Sequence, residues 1–192
     1  MLAPWRPDRW RAHCSEVIAR YWDNKLKQKA ESMTSLCMLD VANLFITKPA
    51  KVWSMAGLDS TEVRKAAIVN WMTLGVYQTR ETLFKMKVIK SPMCTACSMN
   101  AIGSLAHYLL YCPFTESIRQ NYVPKFILSN PKVSKVADNE TALVLSILDP
   151  ESSLLPEEVR FSWESSKDIY ALSREYVYNV HRKFEKFYEK ST

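Results

Sequence analysis

Trp10, Cys14, Val17, Ile18, Tyr21 and Leu26 recur at helical spacing inside a stretch, residues 8–47, that holds neither glycine nor proline. The pattern predicts a long amphipathic helix that breaks before Cys37. After a connection at residues 48–53, Asp59 with Glu62 three residues on has the form of a capping box and sets the start of a second helix at about Ser60. Val63, Ala67, Trp71 and Leu74 share one face of that helix, and Gly75 bends or ends it. A further helical stretch, residues 78–87, leads into a group of cysteines. Beyond it, Pro113, Pro124, Pro131, Pro150 and Pro156 predict short helices separated by turns, of which TALVLSIL is the most apolar. Ile169, Leu172, Tyr176, Val180, Phe184 and Phe187 then lay an apolar stripe along a terminal helix of about six turns with Ser166 as its cap.

Composition agrees with this pattern. Hydrophobic residues make up 47% of the chain and only three glycines occur, which favours an ordered, helix-rich fold over a disordered tail. The expected fold class is mostly α, with long terminal helices and three regions: an N-terminal helical region (1–58), a helix with the cysteine group (59–125), and a C-terminal helical region (126–192) that packs on the same domain. No apolar run reaches the roughly 20 residues that span a bilayer, and the opening MLAPWRPDRWR lacks a signal peptide's apolar core. Five unevenly placed cysteines do not form a secreted disulfide framework. These features point to an intracellular place, nuclear or cytoplasmic, with no membrane partner.

The cysteine group carries the chemistry. Cys94, Cys97, His107 and Cys112 follow the spacing C-x2-C-x9-H-x4-C. Three thiolates and an imidazole are the donor set of a tetrahedral Zn2+, and four protein ligands leave no open position for water, so one Zn2+ here would be structural. Residues 104–111 read as a short helix that stops at Pro113, which lets His107 and Cys112 face one point. The plainer alternative treats the cysteines as small buried hydrophobes and His107 as a surface residue. For Cys14, Cys37, His13 and His181, which stand singly, core packing is the expected role.

The net charge of +6 suits a polyanionic partner, and the positive excess lies in residues 1–30 and 80–90. Arg80, Lys85, Lys87 and Lys90 adjoin the cysteine group as candidate phosphate contacts, and Tyr108 beside His107 is a candidate stacking platform. Trp5, Arg6, Arg9, Trp10 and Arg11 interleave rings with cations, which suits either base stacking with phosphate contact or a hydrophobic anchor with a solvated basic face. Glu157 and Glu158 fit the first turn of a helix better than an acid–base pair.

HYLLYCP, with Arg119 following, resembles the end of the CCHC zinc knuckle in the C-terminal region of reverse transcriptases of non-LTR (LINE-type) retrotransposons. YWDNKLKQKAESMTSLCMLD and VWSMAGLDSTEVRKAAIVNWMTLGVYQTRETLFKM look like the helical segments before that knuckle, so the resemblance covers most of residues 10–125. Many members carry an acidic residue shortly before the histidine, where this chain has Gly103 and Ser104, which leaves a contact to His107 unaccounted for. The resemblance implies a non-catalytic accessory region that grips RNA or DNA for a polymerase domain N-terminal to it. No paired-aspartate polymerase signature, endonuclease constellation, P-loop or metalloprotease motif occurs in the chain. The alternative function is a protein-interaction module or domesticated retroelement fragment, in which the metal only staples helices.

Overall fold

The computed structural model describes residues 6–45, 48, 50–161 and 166–190. Pro7, whose fixed φ suits a first helical position, and Asp8 in the first turn open helix α1, Pro7–Glu31. It ends at Ser32, and two 3-10 turns, Thr34–Leu36 and Val41–Asn43, carry the chain on. The predicted stripe is present but uncovered: Trp10, Val17, Ile18, Tyr21 and Leu26 are all exposed, as is the neighbouring Trp22, and only Ala30 at the far end is buried. Core packing fails for the single residues too, because Cys37 and His13 are exposed and Cys14 is half-buried on an uncovered helix. Trp5, Thr47, Pro49 and the side chain of Ser166 lie outside the described residues, so the roles expected of Trp5 in base stacking and of Ser166 as a cap fall there as well.

The 48–53 connection contains a single helical turn, α2, Lys51–Ser54. Asp59 accepts from the amides of Thr61 and Glu62, both at 2.9 Å, and α3, Ser60–Thr73, starts where expected. The reciprocal half of a capping box is replaced by ion pairs, since the Glu62 carboxylate takes Lys65 at 2.7 Å and Arg174 at 3.0 Å. The buried face also differs from the predicted one. Ala66, Ile68, Val69 and Met72 face the core while Val63 and Trp71 are exposed, because α3 is covered from two sides, by helices late in the chain, rather than along one stripe. At its end the amides of Gly75 and Val76 bond the carbonyls of Met72 and Trp71, at 3.1 and 3.0 Å, a Schellman closure that needs the positive φ of 67° at Gly75.

Helix α4, Arg80–Lys85, is capped by Thr79 and is shorter than the predicted 78–87. It closes by the same pair of bonds, Lys87 to Phe84 and Val88 to Leu83, with Lys87 at φ 60° in the position glycine usually takes. Helix α5, Glu116–Ser129, contains Pro124, so this proline does not separate two helices. The missing bond costs about 3 kcal/mol. Burial of Phe126 and packing of the Tyr122 and Phe126 rings on Tyr176, at 5.6 and 6.0 Å, offset it.

Helix α6, Glu140–Leu148, is the predicted apolar segment, capped by Asn139 and buried at Ala142 and from Val144 to Leu148. Glu157 and Glu158 lie exposed in a turn rather than in a helix. Helix α7, Ser166–Glu189, buries Ile169, Tyr176, Val180 and Phe184 as predicted and adds Tyr170, Ser173 and Val177 to that face, with Leu172 and Phe187 half-buried at its edge. It is the central element: α3, α5 and α6 all pack on it, and one continuous core joins them to the cysteine segment. The fold is mostly helical, and among the described residues no helix is long and apolar enough to cross a membrane.

Candidate metal centre

Two short pieces of chain bring the four predicted ligands together. In the first, Met93 and Ile102 form an antiparallel bridge, tightened by Cys94 N–H to Ala101 O and Gly103 N–H to Pro92 O, both 2.8 Å. Asn100 turns the chain between them at φ 51°, a left-handed conformation that asparagine tolerates. Cys94 and Cys97 sit on the loop so closed. In the second, Ser104 caps a helical segment, its Oγ accepting from the His107 amide at 3.1 Å. That segment widens into a π turn, His107–Tyr111, in which the Cys112 amide reaches the His107 carbonyl at 2.7 Å. Cys112 is extended, as a residue before proline must be, and the helix stops.

The four ligand atoms all lie within 4.8 Å of one another. Cys94 Sγ is 4.0 Å from Cys112 Sγ, and Cys97 Sγ is 3.5 Å from His107 Nε2. A tetrahedral ion with bonds of about 2.3 Å to sulfur and 2.0–2.1 Å to nitrogen spaces its donors about 3.6–3.8 Å apart, so the set fits one metal ion. Cys94, His107 and Cys112 are buried and Cys97 is half-buried. Four protein donors of this kind, mostly shielded from solvent, are compatible with a structural rather than a catalytic centre.

Burial sets the protonation of the donors that a metal would meet. Burial pushes the Cys94 thiol up and the Cys112 thiol up to about 12, while burial and then the charge of Arg119 push His107 down, keeping its imidazole neutral. A cation reverses the thiol cost by stabilising thiolate, and the neutral imidazole is already in its ligating form.

Supports surround the ligands that the spacing alone did not reveal. Thr115, fully buried, donates to the carbonyls of Tyr108 and Cys112, both 3.0 Å, and Arg119 Nη1 donates to the latter at 3.3 Å. Gly103 is needed for space: a Cβ there would meet Arg80 Cβ at 3.0 Å and Tyr108 Oη at 3.1 Å. Ser104, where the resembled family often has an acid nearby, serves as the helix cap. Its signal, a serine just before an apolar helical run, was legible; nothing in the sequence marked Thr115.

The candidate nucleic-acid residues divide into two groups. Lys85, Lys87 and Lys90 are exposed on the segment from α4 to the cysteine loop, with Lys85 bonded to Glu81 at 2.7 Å. Among the described residues no carboxylate pairs with Lys87 or Lys90. Arg9 and Arg11 are exposed at the start of α1. Arg80 is half-buried and turned inward, donating to Ser91 O at 3.1 Å, so it braces the loop rather than offering a free cation. Tyr108 is corrected more sharply: it is 1% exposed, stacked on Phe184 at 3.9 Å, with its hydroxyl 3.1 Å from that of Tyr188. No base can reach its face. His181, expected in the core, is half-buried and bonds the Tyr77 hydroxyl at 3.1 Å.

Comparison with protein-family models, with curated proteins and with solved structures finds no match for the chain.

Proposed function

We propose that the protein is a non-catalytic nucleic-acid-binding module whose helical body is stapled by one Zn2+ held as a CCHC knuckle by Cys94, Cys97, His107 and Cys112. Zinc suits the donor set because three thiolates and an imidazole in a closed tetrahedron are its usual structural coordination. The module resembles the C-terminal region of non-LTR reverse transcriptases. By that resemblance it would hold RNA or DNA inside the cell for a polymerase domain N-terminal to it.

The observation that carries this reading is the placement of Lys87 and Lys90, exposed and with no carboxylate partner among the described residues, on a braced segment. The Arg80 to Ser91 bond ties the two ends of the segment together, and the loop of Cys94 and Cys97 follows directly after it. A braced backbone lowers the ordering cost of binding, which for each immobilised long side chain is about 0.5–1.5 kcal/mol. The test is a binding titration with single-stranded RNA and DNA at two salt concentrations. Lys87→Glu with Lys90→Glu should weaken binding tenfold or more at low salt and flatten the salt dependence without changing metal content, on the order of one unit of slope per lost phosphate contact. Wild-type protein that shows no salt-dependent binding to either polymer would end this reading.

A second reading has its own observation. The uncovered face of α1, with Trp10 and Ile18 each 57% exposed, is a surface of the kind that protein interfaces use. An interaction module predicts that substitution of Ile18 and Tyr21 by serine abolishes partner binding and leaves nucleic-acid binding intact.

A further inference from the structure

Trp71, Val76, Tyr77, Gln78, His181 and Tyr188 line a cleft of about 450 Å3 between the end of α3 and the last turns of α7, floored by the stacked pair Tyr108 and Phe184. Its size falls within the roughly 300–1,000 Å3 of small-ligand sites. Its chemistry is unlike that of the core beneath it. Trp71 is 49% exposed at the mouth, although Ile68 and Met72 on the same helix are fully buried. Around the ring stand groups that can read a polar edge. The Gln78 side chain is exposed and can both donate and accept. The Tyr77 hydroxyl and His181 Nδ1 are joined at 3.1 Å, and His181 Nε2 lies 3.8 Å from Glu185. Arg182 and Arg64 match the charge of Glu185, so the cleft does not present a bare carboxylate.

Aromatic faces with hydrogen-bonding groups at their edge fit a planar heteroaromatic ring. The surroundings choose among such rings by charge. The wall of the cleft, residues 76–78, runs through Thr79 directly into α4, and the chain that follows carries Lys85, Lys87 and Lys90 on its exposed side. A ring attached to a phosphate chain therefore has aromatic groups for the ring and cations along the continuing segment.

We propose that this cleft receives one unstacked nucleobase of a single-stranded nucleic acid, stacked on Trp71, with the adjoining phosphates running along residues 85–90. The inference rests on the nucleic-acid-binding reading and adds where the base is held. Stacking tolerates any base because each has a π face, so the cleft supplies affinity with weak sequence preference.

The test uses the full chain with two probes, adenosine and a short single-stranded RNA carrying one fluorescent adenine analogue. Adenosine at millimolar concentration should shift the Trp71 indole N–H signal in an NMR titration, a signal assigned by its loss in Trp71→Ala. Trp71 is half exposed, so this variant should keep its helicity. RNA binding should weaken about tenfold in Trp71→Ala with the salt slope unchanged, and Trp71→Phe should recover most of the loss. The fluorescence of the analogue should be quenched by wild type and not by Trp71→Ala. Salt-dependent RNA binding that is the same in wild type and Trp71→Ala, with no indole shift by adenosine, would overturn the cleft and leave the lysine reading standing. An adenosine shift in a protein with no salt-dependent RNA binding would keep the cleft as a nucleoside site and remove the phosphate path. If neither probe reaches Trp71 and RNA does not bind, both readings fall and the exposed rings belong to a protein interface.

Discussion

The Cys112 amide donates to the His107 carbonyl at 2.7 Å, five residues back in the chain. On an ideal α-helix, five residues at about 100° each would leave these two side chains about 140° apart, on different faces. The π turn His107–Tyr111 adds a residue to the turn and returns Cys112 to the side of His107. Both donors then meet Cys94 and Cys97 within 4.8 Å. Past the turn, the Thr115 hydroxyl donates to the carbonyls of Tyr108 and Cys112, and Arg119 donates to that of Cys112, which fixes the segment on its C-terminal side.

Metal content follows from this geometry. Purified protein should carry about one zinc per chain, and Cys97→Ser should lose it, whereas Cys14→Ser and Cys37→Ser should retain it. Because Tyr108, Leu109 and Cys112 belong to the main core, chelation should lower helicity and thermal stability together. Elemental analysis with circular dichroism decides. A metal-free preparation of full helicity would remove the metal from this account.

Lys87 separates stability from binding. Its φ of 60° is a conformation that costs a side-chain-bearing residue about 1–2 kcal/mol and glycine nothing. Lys87→Gly should therefore raise stability by about 0.5–1 kcal/mol in a denaturant titration, after allowing for the freer unfolded chain. The same variant should weaken nucleic-acid binding. Lys87→Ala should weaken binding equally with no gain in stability. A destabilised Lys87→Gly would contradict the strain argument.

Gly57 and Gly75 provide a matched pair. Both hold positive φ, 65° and 67°, but a Cβ on Gly57 meets nothing within 4 Å, whereas one on Gly75 would run into the backbone carbonyl of Ser35. Gly57→Ala should cost about 1 kcal/mol, the conformational part alone, and Gly75→Ala about 1–3 kcal/mol more. Equal losses in urea titrations would mean that the close approach of the Thr34–Leu36 turn to the end of α3 does not constrain the fold.

Asp149 makes stability depend on pH. Burial, together with the nearby charges of Asp40 and Glu151, raises its pKa above the ordinary 3.8, while the Tyr170 hydroxyl donates to it at 2.8 Å. A raised carboxylate contributes stability below its unfolded value and loses that contribution as pH rises through its folded value. Asp149→Asn, which never ionises, should therefore be more stable than wild type at neutral pH, and the difference should shrink as pH falls toward 3.8. Melting temperatures across that range check it. A difference that grows on acidification would refute the assignment.

Local chemistry written in the sequence carried through wherever a short-range rule decides the outcome. Asp59 starts α3 because its carboxylate reaches amides two and three residues on, Gly75 ends it because only glycine adopts that turn without strain, and the stripe from Ile169 to Phe184 finds the core because its period matches the helix. The convergence of the four candidate ligands was legible for the same reason: spacing within nineteen residues limits where the donors can go. Tertiary structure alone decided which faces are covered. α3 buries Ile68 and Met72 rather than Val63 and Trp71 because α6 and α7 lie across it, and α1 keeps its apolar stripe exposed because no described segment comes back to cover it. It also turned Tyr108 inward onto Phe184, seventy-six positions later in the chain, and gathered Trp71, Tyr77 and His181 around one cleft. Periodicity shows that a side chain has a face. The partner for that face comes from distant residues, and the free energy of burying it depends on their shape and charge, which no local window contains.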